Sequence, residues 1–196
     1  MEVELLHYSP KELIIKAIRR CWRSNDKSDD FGESDQKLIR KIIKKGHTST
    51  LEHSLYTFDI NNISRACLQE IARHRIGIGL SVESTRYTLK RILKGEDPEN
   101  FLIDTGNEKL NRKILNYFNE VTEIIEDENL TNDIAKYAIC ENYPVSLIMS
   151  FNIRSLRHFI SLRSSPAAHK EIKELANTLY NMIPIEHKIF FWDFHL

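Results

Sequence analysis

The chain has 196 residues, enough for one domain with a hydrophobic core, and 41% hydrophobic with 29% charged residues is ordinary for a globular protein. With 28 basic and 28 acidic side chains the net charge is zero, which argues against a general nucleic-acid coat. No uncharged apolar stretch approaches membrane-spanning length, the N-terminus carries two acids and lacks the grammar of a signal peptide, and the protein is expected to be cytoplasmic, with no membrane partner.

In chain order, Val3 to Tyr8 predicts a short strand. Ser9-Pro10-Lys11-Glu12 has the pattern of a helix start, with a helix running to about Trp22. Residues 24–33 are a polar loop, and Ser34 is expected to cap a helix through Lys45 that Gly46 closes in the left-handed conformation. Tyr56, Phe58 and Ile60 alternate with Leu55, Thr57 and Asp59 as in a half-buried strand. Helical spacing returns from Ser64 to about Arg75, and Ile76-Gly77-Ile78-Gly79-Leu80 is too glycine-rich to continue it, so a flexible loop is expected there. Leu110 to Ile125 is a long amphipathic helix, Thr131 caps another through Ile139, and Val145 to Phe151 suits a buried strand. Residues 154–163 and 167–182 predict the last helices. No repeat or linker interrupts the chain, so residues 1–196 are expected to form a single α/β domain, a sheet flanked by helices.

Charge is unevenly spread. Arg65, Arg73, Arg75, Arg86, Lys90 and Arg91 face only Glu70 and Glu83 within residues 64–91, and residues 152–163 hold three arginines and no acid. An acidic stretch from Glu120 to Asp133 restores the balance. Two confined basic segments in a neutral chain suit a small anionic ligand better than a long polyanion.

The densest cluster is Arg73-His74-Arg75 followed by Ser84 and Arg86-Tyr87. Capping of a helix C-terminus would account for the first three. However, consecutive helical residues point about 100° apart, so they cannot share one solvated face. A second cluster is Asn152, Arg154, His158 and Arg163. Arg154 and His158 lie one turn apart, whereas Arg163 follows the apolar stripe of Leu156, Phe159 and Ile160 and needs an internal carboxylate or an anionic ligand. A third fragment, His47-Thr-Ser49-Thr-Leu-Glu52-His53, lacks metal-ligand spacing, and no metal is expected. Cys21, Cys67 and Cys140 are far apart in hydrophobic patterns and are expected to be reduced, buried thiols. There is no nucleophile elbow, no Walker-type loop and no Rossmann fingerprint.

Together the three fragments resemble the flavin-dependent thymidylate synthases. That family is marked by Arg-His-Arg, a spacer, then Ser and Arg-Tyr, which is similar to Arg73-His74-Arg75 and Ser84-Thr85-Arg86-Tyr87, here with eight residues between Arg75 and Ser84 where the family has seven. Its upstream His-x-Thr/Ser-x-x-Glu-His resembles residues 47–53, and its downstream Asn-x-Arg-Ser-Leu resembles residues 152–156, with Arg163 nine residues after Arg154. The likeness spans about residues 1–182 and implies a homotetramer whose active sites are shared among subunits. It implies reductive methylation of dUMP to dTMP, with FAD reduced by NADPH, methylenetetrahydrofolate as carbon donor and no cysteine nucleophile.

The resemblance assigns FAD to Ser49, Arg73, His74, Arg75, Asn152, Arg154 and His158. It assigns dUMP to Glu70, Val82, Glu83, Ser84, Arg86, Lys136 and Arg163, with Arg163 and Ser84 nearest the chemistry and Ser84 positioning substrate rather than attacking it. Lys136, His158 and Glu70 depart from the commonest family residues, and the extra spacer residue shifts Val82 and Glu83 by one position. A nucleic-acid-binding module is the rival from another class, and a relative that only oxidises NADPH is a second. Arg163, Ser84 and Arg86 argue against the latter.

Overall fold

Alternating burial sets the strands. Tyr56, Phe58 and Ile60 of β2 (Leu55–Ser64) are fully buried, as are Val145, Leu147, Met149 and Phe151 of β4 (Pro144–Asn152), while their neighbours are half-buried or exposed. With β1 (Glu2–Tyr8) and β3 (Ile78–Val82) they form a four-stranded sheet in the order β1-β2-β4-β3. The computed structural model describes residues 1–95 and 101–194; the side chain of Arg91 lies outside the described residues. The helices are α1 (Glu12–Cys21), α2 (Glu33–Lys44), α3 (Arg65–Ala72), α4 (Thr85–Gly95), α5 (Glu108–Asp127), α6 (Asn132–Ala135), α7 (Ile153–Arg163) and α8 (Lys170–Met182), with short 3₁₀ turns between.

The pairing is antiparallel. Asn152 N donates to Gly77 O and Glu83 N to Ser146 O, so residue numbers rise along β3 as they fall along β4. Ile153 N donates to Ser54 O and Arg65 N to Tyr143 O, which sets the same opposition between β2 and β4. The α/β class read from the sequence is correct.

Two compact units divide the chain. One comprises residues 1–2, 61–72 and 81–147, and the other residues 3–60, 73–80 and 148–196. In the first, Phe118 and Ile125 of α5 join Leu89 of α4, Phe101, Ala135 and Tyr143 in a core where the Phe101 ring meets Phe118 and Tyr143 edge-on, at 5.4 and 5.8 Å between centroids. In the second, α7 packs on α8, with Leu156, Phe159 and Ile160 from one and Ile172, Leu175 and Leu179 from the other fully buried. Each such side chain contributes about 1.5–3 kcal/mol of hydrophobic stabilisation.

Several local expectations are corrected. Ser9 does not cap α1: its N–H donates to Leu55 O and its Oγ accepts from Leu55 N, both at 2.9 Å, extending the edge of β1. Ser34 does not cap α2 either, because Asp29 Oδ2 and Oδ1 accept from Ser34 N and Asp35 N, and the Ser34 hydroxyl instead accepts from Arg19 Nη2 at 3.4 Å. The segment expected as a glycine loop contains β3, since a paired strand can be built from Ile78, Leu80 and Val82 even with Gly79 between them. Helix α3 stops at Ala72, leaving Arg73, His74 and Arg75 beyond its end. The helix expected from Thr131 to Ile139 is one turn, α6, followed by a 3₁₀ turn at Lys136–Ala138, and Thr131 makes no side-chain cap. Gly46 is left-handed as expected, at φ +73°.

Candidate functional site

The two basic segments of residues 73–75 and 152–163 meet within the second unit. Arg163, in the last turn of α7, donates from Nε to His74 Nε2 at 2.9 Å. An acceptor at Nε2 requires the imidazole to carry its proton on Nδ1. The sequence led us to expect a carboxylate or ligand on Arg163. One partner in the structure is an imidazole: His74 leaves the end of α3 and comes to lie beside α7, its ring 4.8 Å from Phe159 and 5.9 Å from His158. The Phe159 ring is fully buried, so it gives His74 a fixed apolar wall.

Backbone packing holds this arrangement. Asn152 Oδ1 caps α7 by accepting from Ser155 N at 2.8 Å, and Ser155 Oγ donates to Ile76 O at 2.7 Å. Gly77, at φ +68°, lies so close to this turn that a Cβ there would fall 2.3 Å from both Asn152 Nδ2 and Ser155 Oγ. Only glycine is compatible with that contact and that φ. Arg154 points outward and pairs with Glu52 at 2.5 Å, so the 47–53 fragment and α7 are joined by an ion pair that the sequence did not reveal. Ser49, in the 3₁₀ turn of Thr48–His53, is exposed, as are Arg73, Arg75, Arg154 and His158.

A second polar group lies in the first unit. Ser84 immediately precedes α4, and its carbonyl accepts from Tyr87 N and Thr88 N. No acid occupies the first turn of this eleven-residue helix, whose N–H groups favour an anion. Arg86, on that turn, forms a two-point pair with Asp133 of α6, Nε to Oδ1 at 2.6 Å and Nη2 to Oδ2 at 3.2 Å. The Asp133 hydrogen bond holds the guanidinium above its ordinary range, and Arg86 in turn holds the carboxyl below the usual carboxylate range. Lys136 follows on the 3₁₀ turn and is exposed. Glu70 is half-buried on α3. Val82 ends β3 and Glu83 follows it, its N–H committed to β4 by a bond to Ser146 O. Sequence reasoning missed Asp133, Ser155 and the Phe159 wall. Asp133 had been counted only as part of an acidic stretch.

Of the three thiols expected to be buried, Cys67 is, whereas Cys140 is half-buried and Cys21 is exposed. Burial pushes the Cys140 thiol up, and Cys21 donates to Ala17 O of its own helix. Among the described residues no cluster of three His, Cys, Asp or Glu side chains could hold a metal ion, and no helix is long and apolar enough to cross a membrane.

The family model for thymidylate synthase complementing protein matches residues 4–185. The flavin-dependent thymidylate synthase of Campylobacter jejuni is 44% identical over 200 residues, covering 97% of this chain and 96% of the relative. That of Helicobacter pylori is 40% identical over 205 residues, covering 98% of each. The crystal structure of thymidylate synthase X from Helicobacter pylori with FAD and dUMP superposes with a TM-score of 0.91 at 40% identity, over 98% of both chains.

Proposed function

The chain belongs to the flavin-dependent thymidylate synthase family, and from that premise we propose that it converts dUMP to dTMP, with methylenetetrahydrofolate as carbon donor, FAD reduced by NADPH, and no cysteine nucleophile. The observation that carries this reading is the hydrogen bond between His74 and Arg163, because it joins the two acid-poor basic segments on which the family likeness rests. The FAD- and dUMP-bound Helicobacter pylori structure supports both ligands.

FAD would be held by Ser49, Arg73, His74, Arg75, Asn152, Arg154 and His158. The donor set fits such a group: exposed guanidiniums suit its diphosphate, and the imidazoles of His74 and His158, in a T-shaped pair 5.9 Å between centroids, suit a flat heterocycle. Bound there, FAD supplies the reducing equivalents that complete the methyl group. The chain's own contribution is binding and electrostatics. His74, braced against Phe159, fixes the Arg163 guanidinium through Nε, and the positive charge held there would stabilise negative charge developing on the uracil ring.

The dUMP phosphate would sit at the start of α4, where Ser84 and the helix N–H groups donate and Arg86 and Lys136 supply charge. Ser84 positions substrate, since no base hydrogen-bonds its hydroxyl among the described residues. Glu70, Val82 and Glu83 complete the nucleotide contacts, the last two through carbonyls or side chains given that the Glu83 N–H is occupied. The disfavoured Cys140 thiolate and the buried Cys67 support a route without a cysteine nucleophile. Residues 1–196 would act as one domain, in a cytoplasmic homotetramer with shared active sites.

The test is a purified sample that turns yellow with FAD and forms dTMP from dUMP, NADPH and methylenetetrahydrofolate. Arg163→Ala should lower dTMP formation by about 10²-fold or more while NADPH still reduces the flavin. A protein that stays colourless with added FAD, or an Arg163→Ala variant with full synthesis, would overturn the reading.

A further inference from the structure

Arg86 meets Asp133 along the Nε–Nη2 edge of its guanidinium. That side-on geometry leaves Nη1 and one Nη2 hydrogen directed away from the carboxylate. The same short helix holds the backbone too, because Asn132 Nδ2 donates to Arg86 O at 2.8 Å. One turn further on, Lys136 is near enough to help keep Asp133 ionised. Behind them Lys90 Nζ donates to Asn129 Oδ1 at 3.2 Å, a second tie from α4 to the residues leading into α6.

Both members of the Arg86–Asp133 pair are more than half exposed, at 56% and 58%. Pairs this wet add little to folding, so the pair is better explained by what it does to the guanidinium. An unrestrained arginine on a helix surface samples many rotamers, and ordering it on a ligand weakens binding. A carboxylate that grips one edge removes that loss beforehand. Its like charge toward an incoming phosphate is balanced locally by Lys136 and screened by water.

We propose that Asp133 is a positioning residue for the nucleotide phosphate, clamping Arg86 side-on so that the opposite edge of the guanidinium faces the start of α4 and receives a phosphate oxygen. This rests on the dUMP reading of Arg86 above.

Steady-state kinetics of the FAD-loaded enzyme test it. Asp133→Ala should raise KM for dUMP about fivefold with kcat nearly unchanged. Asp133→Asn, which keeps an acceptor, should fall between wild type and Asp133→Ala. Arg86→Ala should raise KM further, and adding Asp133→Ala to it should change nothing more. Inhibition by 2′-deoxyuridine, which has no phosphate, should be the same in wild type and Asp133→Ala. The clamp is wrong if Asp133→Ala binds dUMP as well as or better than wild type, if its effect persists in the Arg86→Ala background, or if the nucleoside loses as much affinity as the nucleotide. An unchanged KM in Arg86→Ala would instead overturn the phosphate assignment itself, and the clamp with it.

Discussion

Asp35 and Asp133 are each gripped by one arginine, and there the likeness ends. Asp35, in the first turn of α2, is fully buried, and both of its oxygens are satisfied: Arg19 Nε donates to Oδ1 at 2.6 Å, while Ser28 Oγ and Phe31 N donate to Oδ2 at 2.7 and 3.0 Å. Asp133 sits in water and meets Arg86 through one edge, leaving the rest of that guanidinium available. A dry pair whose carboxylate oxygens are both satisfied serves the fold, because removing either member strands a buried charge. A wet pair with an open edge serves a ligand. Burial, rather than the identity of the two residues, separates a strut from a handle.

The contrast predicts a graded set of outcomes. Asp35→Ala should destabilise the protein by about 3–5 kcal/mol in denaturant unfolding, since it leaves Arg19 buried without its counter-ion. A fall of less than a third of that would erase the distinction.

Acid should remove part of the same contribution in the wild type. Burial works against the Asp35 carboxylate, yet hydrogen bonds from Ser28, Arg19 and Phe31 together hold its carboxyl below the ordinary range. A depressed folded value means that the stabilisation is complete above the unfolded pKa of about 3.9 and is lost as pH falls through the folded one. Unfolding midpoints followed below pH 4 should therefore drop more steeply in wild type than in Asp35→Asn.

Ser28→Ala removes one of the three hydrogen-bond donors to Asp35 and should cost about 1 kcal/mol in the same denaturant titration. Smallest of all, Asp133→Ala should leave the thermal midpoint where it was. A clear loss of thermal stability in that variant would mean that the exposed pair is structural after all.

The sequence was most informative where one residue's surroundings decide its fate. Alternation at Tyr56, Phe58 and Ile60 and the apolar stripe of Leu156, Phe159 and Ile160 marked core faces, and both are fully buried. It was least informative where a side chain had two local options. Ser9 and Ser34 look like helix caps, but β2 uses one and Asp29 displaces the other. Strand β3 was hidden because its pairing with β4, seventy residues later in the chain, outweighs the flexibility that Gly77 and Gly79 suggest (Asn152 N to Gly77 O alone spans residues 77–152). Helix α4 was not anticipated at all.

For the site, the likeness of three separated fragments brought His74 and Arg163 into one hypothesis before any contact was known. What it could not supply was the partner of each cation. Glu52 for Arg154 and Asp133 for Arg86 lie 102 and 47 residues away along the chain, and nothing local marks either acid out from its neighbours.

Gly46 and Gly77 share a left-handed backbone, at φ +73° and +68°, but a Cβ at the first would meet nothing within 4 Å while one at the second would strike Asn152 and Ser155 at 2.3 Å. Their mutational latitude should differ accordingly. In a library randomised at both codons and sorted for soluble protein, position 46 should return asparagine and aspartate beside glycine, since these tolerate the left-handed region. Position 77 should return glycine alone, because any larger residue would pry the first turn of α7 away from the chain that delivers His74.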